Sequence, residues 1–288
     1  MTIATSRRLP HRVEFGGPED GPRVVLVHGL GGSHANWAAL GPLLAATTRP
    51  VAVDLAGFGY TPGARKTAHV AANARPLARF LRGDRGARRP GRQLDGRHDL
   101  DHHGGGPPRP GQRSRPPRPG PALGTGRTFR PAAIAGIATA LMPIVGPRLL
   151  TRRRSVADAR QRALSALSIC YSDISRLADV QLDVEVELTE TAEAEGLTPV
   201  AAYVGAARSL VLHGARRRHR REMAATTAPV LLLHGTHDRL VSVTAADAAT
   251  RGNPSRRYQR QDGGHVPHME IPAETAHTIT AWLEGKDT

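Results

Sequence analysis

The sequence is poor in cysteine, aromatic residues, lysine and long apolar runs, and each shortage removes a class of protein. Its one cysteine, Cys170, cannot build a disulfide framework and has no partner motif, so it reads as a small core residue. Aromatic side chains are only 3% of the chain, which leaves few platforms on which bases could stack. The net charge of +15 therefore does not point to a nucleic-acid partner, and none is expected. Of 40 basic residues only Lys66 and Lys286 are lysines. Arginine excess beside abundant Ala, Gly and Pro is the signature of a GC-rich coding composition. The longest apolar stretch, Ala132 to Val145, is broken by Pro143. It falls short of the roughly 20 residues that span a bilayer, so no transmembrane segment is expected and the stretch reads as a buried or lid helix. The polar, basic first fifteen residues lack the apolar run of a secretory signal, so a cytoplasmic location is expected.

What is present is a strand and helix alternation. A chain of 288 residues suits one large α/β domain carrying an inserted subdomain. Arg23 to Val27 is a short β-branched run ending in His28-Gly29-Leu30-Gly31-Gly32, the pattern of a buried parallel strand entering a glycine loop. Ser33 to Ala46 reads as a helix, Pro50 to Asp54 as a second buried strand, and Thr67 to Leu81 as a helix again. Phe129 to Met223 holds only helix-like segments. Pro229 to Leu233 returns to a strand, Tyr258 to Gln261 is a weaker one, and Thr275 to Leu283 closes the chain as a helix. Strands alternating with helices predict an α/β fold with a mostly parallel, doubly wound sheet. The expected organisation is a first core half over 1–82, an aberrant segment over 83–120, a helical cap over 124–223 and a second core half over 224–288.

Three motifs give the chain a family likeness. His28-Gly29-Leu30-Gly31-Gly32, with Asn36-Trp37 behind it, resembles the oxyanion loop of the α/β-hydrolase family; Leu233-His234-Gly235-Thr236-His237-Asp238 and Gly263-Gly264-His265-Val266-Pro267 follow in that family's order, acid before histidine. The resemblance covers residues 13–81 and 226–284. It implies the α/β-hydrolase fold with an inserted helical cap. It also implies that His265 is the general base, that Asp238 orients it, and that Gly29 and Leu30 form an oxyanion hole through the Leu30 amide. Asp54-Leu55-Ala56-Gly57-Phe58-Gly59 resembles the loop after the next family strand and is read as scaffold. His234, His237 and His268 lack the glycine context of His265 and are read as bystanders. No metal or organic cofactor is implied, and the expected partner is a small molecule, an apolar ester or ketone.

The pattern breaks where the family needs a strand and a Gly-x-Ser-x-Gly elbow. Residues 83–120 contain 9 Arg, 9 Gly and 7 Pro, with no Val, Ile, Met or aromatic residue. Ser114 has neither glycine of the elbow. The nucleophile is expected near Leu94 and Asp95, but Gln93 and Arg97 stand where Asp95 would need glycines. A disordered Arg/Gly/Pro linker explains this composition but not its position. A shifted reading frame explains both. If Arg92 to Asp99 are encoded CGG CAA CTC GAT GGG CGG CAT GAT with a following C, reading one base later gives Gly-Asn-Ser-Met-Gly-Gly-Met-Ile, a nucleophile elbow. The same shift lets Ala87 to Gly91 become Pro-Val-Val-Leu-Val and Arg113 to Gly120 become Val-Ala-Gly-Leu-Leu-Val-Leu-Val, the two flanking strands.

The sequence thus reads as a hydrolase of esterase or carbon-carbon bond type by lineage, inactive in this chain for want of the serine. The alternative is a non-catalytic binding protein that kept the fold. Losing a central strand would leave buried backbone groups unpaired at roughly 1 to 3 kcal/mol each, which predicts an unstable chain. Sequencing the gene checks the shifted frame: the codons above and compensating indels near residues 82 and 120 are expected, and their absence refutes it.

Overall fold

The computed structural model describes residues 10–83, 94–95, 139, 142, 145–214, 216–250 and 256–286. Strands β2 (Arg23–Val27) and β3 (Arg49–Val53) lie parallel, in register from Arg23 opposite Arg49 to Val27 opposite Val53. β1 (Arg12–Glu14) adds antiparallel to the outer edge of β3, and β4 (Leu94–Asp95) adds parallel to β2, opposite Leu26 and Val27. β5 (Val230–Gly235) and β6 (Arg256–Gln261) form a second, parallel sheet.

Side-chain alternation along β2 and β3 divides the interior into two layers. Val24, Leu26 and Ala52 meet Leu40 and Leu44 of α1 (Leu40–Leu44) and Ala276 and Ile279 of α10 (Pro272–Leu283). Val25, Val27, Val51 and Val53 face the other way, onto Leu77 and Phe80 of α2 (Val70–Gly83). Burial on both faces is why these strands are unbroken apolar runs. Leu231 and Leu233 of β5 pack onto the first layer, so the two sheets share one core.

The five helices α3 (Val145–Val156), α4 (Ala159–Cys170), α5 (Asp179–Ala194), α6 (Val200–Gly214) and α7 (Arg217–Ala225) lie between β4 and β5 in the chain. Their inner residues meet segments that follow strand C-termini. Leu167, Tyr171 and Leu182 pack on Val266 and Met269, while Ala202 and Ala206 pack on Phe58 and Ala68. The remaining helices are α8 (Val243–Thr250) and α9 (Pro267–Glu270). Among the described residues, no helix is long and apolar enough to cross a membrane.

One expectation changes. The single helix read over Ser33 to Ala46 is a tight turn at His34–Trp37 followed by the short α1. The Ser33 hydroxyl accepts from Ala35 N–H and the Asn36 side chain accepts from Ser33 N–H, closing the turn on itself; Pro42, without an N–H, cannot bond back to it. Of the central strand expected to be missing or irregular, the described residues are Leu94 and Asp95, paired with β2. Apart from these two and Gly83 at the end of α2, the 83–120 segment lies outside the described residues, as does most of Ala132 to Val145.

Leu26 is fully buried where the layers meet β4. Leu26→Ala should cost about 2 to 5 kcal/mol, read as a lower urea midpoint.

Candidate active site

Each parallel strand of the core ends in one of the motifs, so all of them gather at one end of the sheets, where open α/β folds bind ligands. β2 runs into His28, β3 into Asp54, β5 into the loop of Asp238, and β6 into the loop of His265. β4 ends level with Val27, so the expected nucleophile position, Leu94 and Asp95, falls beside the start of the His28 loop.

The loop after β2 is a true glycine turn. Gly31 has φ +78°, a region L side chains avoid, and Gly32 N–H donates to the Gly29 carbonyl at 3.1 Å. His28 is buried and held at both nitrogens: Nδ1 lies 2.7 Å from the Gly29 carbonyl, and Nε2 accepts Leu55 N–H at 3.0 Å. This fixes the neutral tautomer, with the proton on Nδ1. Burial pushes the His28 pKa below its usual value, against the opposing pull of the Gly29 carbonyl and Asp54. Gly29 and Leu30 line a small apolar pocket with Leu55, Phe58, Val70 and Leu210.

Asp238 and His265 meet across 27 residues of sequence, with Oδ2 2.7 Å from Nδ1. The other carboxylate oxygen of Asp238 accepts Leu240 N–H at 2.7 Å and Val241 N–H at 2.9 Å, which fixes the acid. Burial pushes this carboxyl up, but the bond and charge of His265 and the two amides outweigh it and hold the pKa below the usual range. His234 stands 3.7 Å from Asp238 and closer to the Val241 carbonyl, at 3.2 Å. His237 pairs with Asp262 at the surface, and His268 stacks on Trp37.

The sequence reading missed Glu270. Its buried carboxylate accepts Gly264 N–H at 2.6 Å, Ser172 N–H at 3.0 Å, Ser172 Oγ–H at 2.5 Å and Asp173 N–H at 3.0 Å. His265 N–H also donates to the Cys170 carbonyl at 2.7 Å. The histidine loop is therefore bound to the segment after α4. The fit requires glycine at 264, where a Cβ would stand 2.4 Å from the Cys170 carbonyl and 2.5 Å from Ser172 N. Glu270 lies five residues past His265 on a short helix, a spacing that gives no sign of its partners. Asn36, whose amide reaches Met269 Sδ at 3.2 Å, and Trp37, stacked on His268, join the loop after β2 to the same region.

Near this centre is a second polar cluster, also unanticipated. The fully buried Asp54 meets His34 Nδ1 at 2.8 Å and His11 Nδ1 at 3.0 Å. Burial pushes the carboxyl of Glu185, on α5, up to about 7; the charge of His34 works against this and that of Asp54 with it.

Comparison with known proteins adds three findings. Residues 22–83 match the family model of the alpha/beta hydrolase fold. A carbamate hydrolase named RutD, from Variovorax paradoxus, is 41% identical over 75 residues; these are 25% of this chain and 28% of the relative, so the match spans little more than a quarter of that protein. Among solved structures, an esterase from Thermogutta terrifontis superimposes with a TM-score of 0.61 at 21% identity, covering 100% of this chain and 97% of its own. The enol-lactonase from Burkholderia xenovorans does so with a TM-score of 0.60 at 15% identity, covering 95% and 96%. At such identities these likenesses establish the fold.

His28 gives a pH test. Its lowered pKa means that the unfolded chain takes up a proton below pH 6.5 that the folded chain refuses, so stability present above 6.5 is lost on acidification. Between about pH 7.5 and about pH 5.5, urea unfolding should show a loss of at most about 1.4 kcal/mol per pH unit from this group. His28→Gln should remove that part of the slope.

Proposed function

We propose that this chain, which has the α/β-hydrolase fold, derives from a serine hydrolase of small acyl substrates whose acid, base and oxyanion loop persist while the serine is gone. The contact that carries this reading is Asp238 Oδ2 to His265 Nδ1 at 2.7 Å. An imidazole tied at Nδ1 to a carboxylate must exchange protons through Nε2, the arrangement that activates a hydroxyl nucleophile. In the parent enzyme the serine hydroxyl gives its proton to His265 as its oxygen attacks the carbonyl carbon. The developing oxyanion accepts the Leu30 amide hydrogen, and His265 then protonates the leaving group.

The substrate class rests on two supports. The pocket beside Leu30 is lined by the apolar side chains of Leu55, Phe58, Val70 and Leu210, a lining that suits a small acyl or ring group. The names of the similar proteins, a carbamate hydrolase, an esterase and an enol-lactonase, all describe cleavage at an acyl carbon. Helices α3 to α6 and all but the last two residues of α7 are assigned to the cap, 124–223, with core halves over 1–82 and 224–288. The chain as written then turns over no ester, and its remaining capacity is to bind small apolar molecules in the pocket.

Two comparisons test this. The full chain and His265→Ala should hydrolyse p-nitrophenyl acyl esters at the same background rate. A chain rebuilt with the shifted-frame strands and the Gly-Asn-Ser-Met-Gly-Gly elbow should hydrolyse them, and His265→Ala in that background should lower kcat at least about a thousandfold. A rebuilt chain that stays inactive, or does not need His265, overturns the proposal.

A further inference from the structure

His11, His34 and Asp54 come from three separate segments: the stretch before β1, the turn after β2 and the end of β3. They bring His11 Nδ1, His34 Nδ1 and Asp54 Oδ2 to one place, all within 4.8 Å of one another. The two imidazole nitrogens lie 3.0 and 2.8 Å from the same carboxylate oxygen. The rings are held in place by Tyr60, whose ring centroid is 5.1 Å from that of His11 and 5.4 Å from that of His34. The carboxylate is fixed as well: Oδ1 accepts His34 N–H at 2.6 Å, Oδ2 accepts Tyr60 N–H at 2.9 Å, and Asp54 N–H donates to the His11 carbonyl at 2.9 Å.

A buried carboxylate needs donors, and two backbone amides with one imidazole would supply them. The second imidazole brings the donors to four and gathers two ring nitrogens on one oxygen. Two histidine nitrogens and one carboxylate oxygen, oriented by surrounding hydrogen bonds, make a ligand set for a first-row divalent ion. We propose that His11 Nδ1, His34 Nδ1 and Asp54 Oδ2 bind such an ion, with Zn²⁺ as the reference, leaving a fourth position for water. Around a tetrahedral ion at about 2.0 to 2.2 Å the ligand atoms stand about 3.3 to 3.6 Å apart, so each nitrogen–oxygen separation widens by less than about 1 Å. Each neutral imidazole moves its proton from Nδ1 to Nε2, and no net proton is released. The His11 side chain is 35% exposed and gives the ion an entry. Bound there, the ion clamps the stretch before β1 to the turn that follows the oxyanion loop, whatever the state of the nucleophile.

Competition against a chromogenic chelator tests this on the full chain. One saturable Zn²⁺ site is expected, with Mg²⁺ unable to compete for it. His11→Gln and His34→Gln keep an amide donor toward Asp54, and circular dichroism checks that their fold is unchanged; each should weaken Zn²⁺ at least tenfold. A second trio, His213, His219 and Glu222, provides the control, and His219→Gln should leave affinity as it was. The proposal is overturned if the unaltered chain shows no saturable binding, or if affinity survives both variants and falls in His219→Gln.

Discussion

The parallel register of β2 against β3 is the constraint on which the rest depends. It aligns Val27 with Val53, so that His28 and Asp54, the next residues, emerge side by side at one edge. From that edge Leu55 N–H reaches His28 Nε2, and His34 N–H reaches Asp54. A slip of one residue would turn Val24 and Leu26 away from α1 and α10 and separate these bonds together. Packing and polar geometry therefore select the same pairing, and neither could be altered alone.

Much of this was legible in the sequence because it is local or periodic. β-branched runs closed by glycine loops gave the strands, and the order of an aspartate and a histidine, each just past a strand, gave a pair that meets at 2.7 Å. What escaped depends on contacts distant in sequence. Glu270 shows no pattern that announces Ser172, 98 residues away, and His11 lies 43 residues from Asp54. Asp54, read from its motif as scaffold, holds two imidazoles because strand β1 brings His11 back along β3. The break between the His34 turn and α1 was hidden for another reason. Helical spacing continues through it, and only the Ser33 and Asn36 side chains show that the turn closes on itself.

The composition of residues 83–120 conflicts with the position it occupies. Among the described residues, Leu94 and Asp95 pair with the edge of β2 that faces away from β3. Arginine, glycine and proline serve poorly there, since proline lacks the ladder N–H and arginine resists burial. Yet both flanks of that edge are built as if for a full strand. Val25 and Val27 are buried with Val51 and Val53, and Leu231 and Leu233 pack on the opposite layer with Val24 and Leu26.

The grip of Glu270 has a bearing on traffic. Because one carboxylate holds Gly264 together with Ser172 and Asp173, and His265 itself hangs from the Cys170 carbonyl, the base and the rear of the helical block travel as one body. A lid hinged there would carry the imidazole away each time it swung. On the opposite flank the helical block is held differently: α6 sets the small side chains of Ala202 and Ala206 against Phe58 and Ala68, and its Ser209 Oγ accepts Val70 N–H at 3.0 Å.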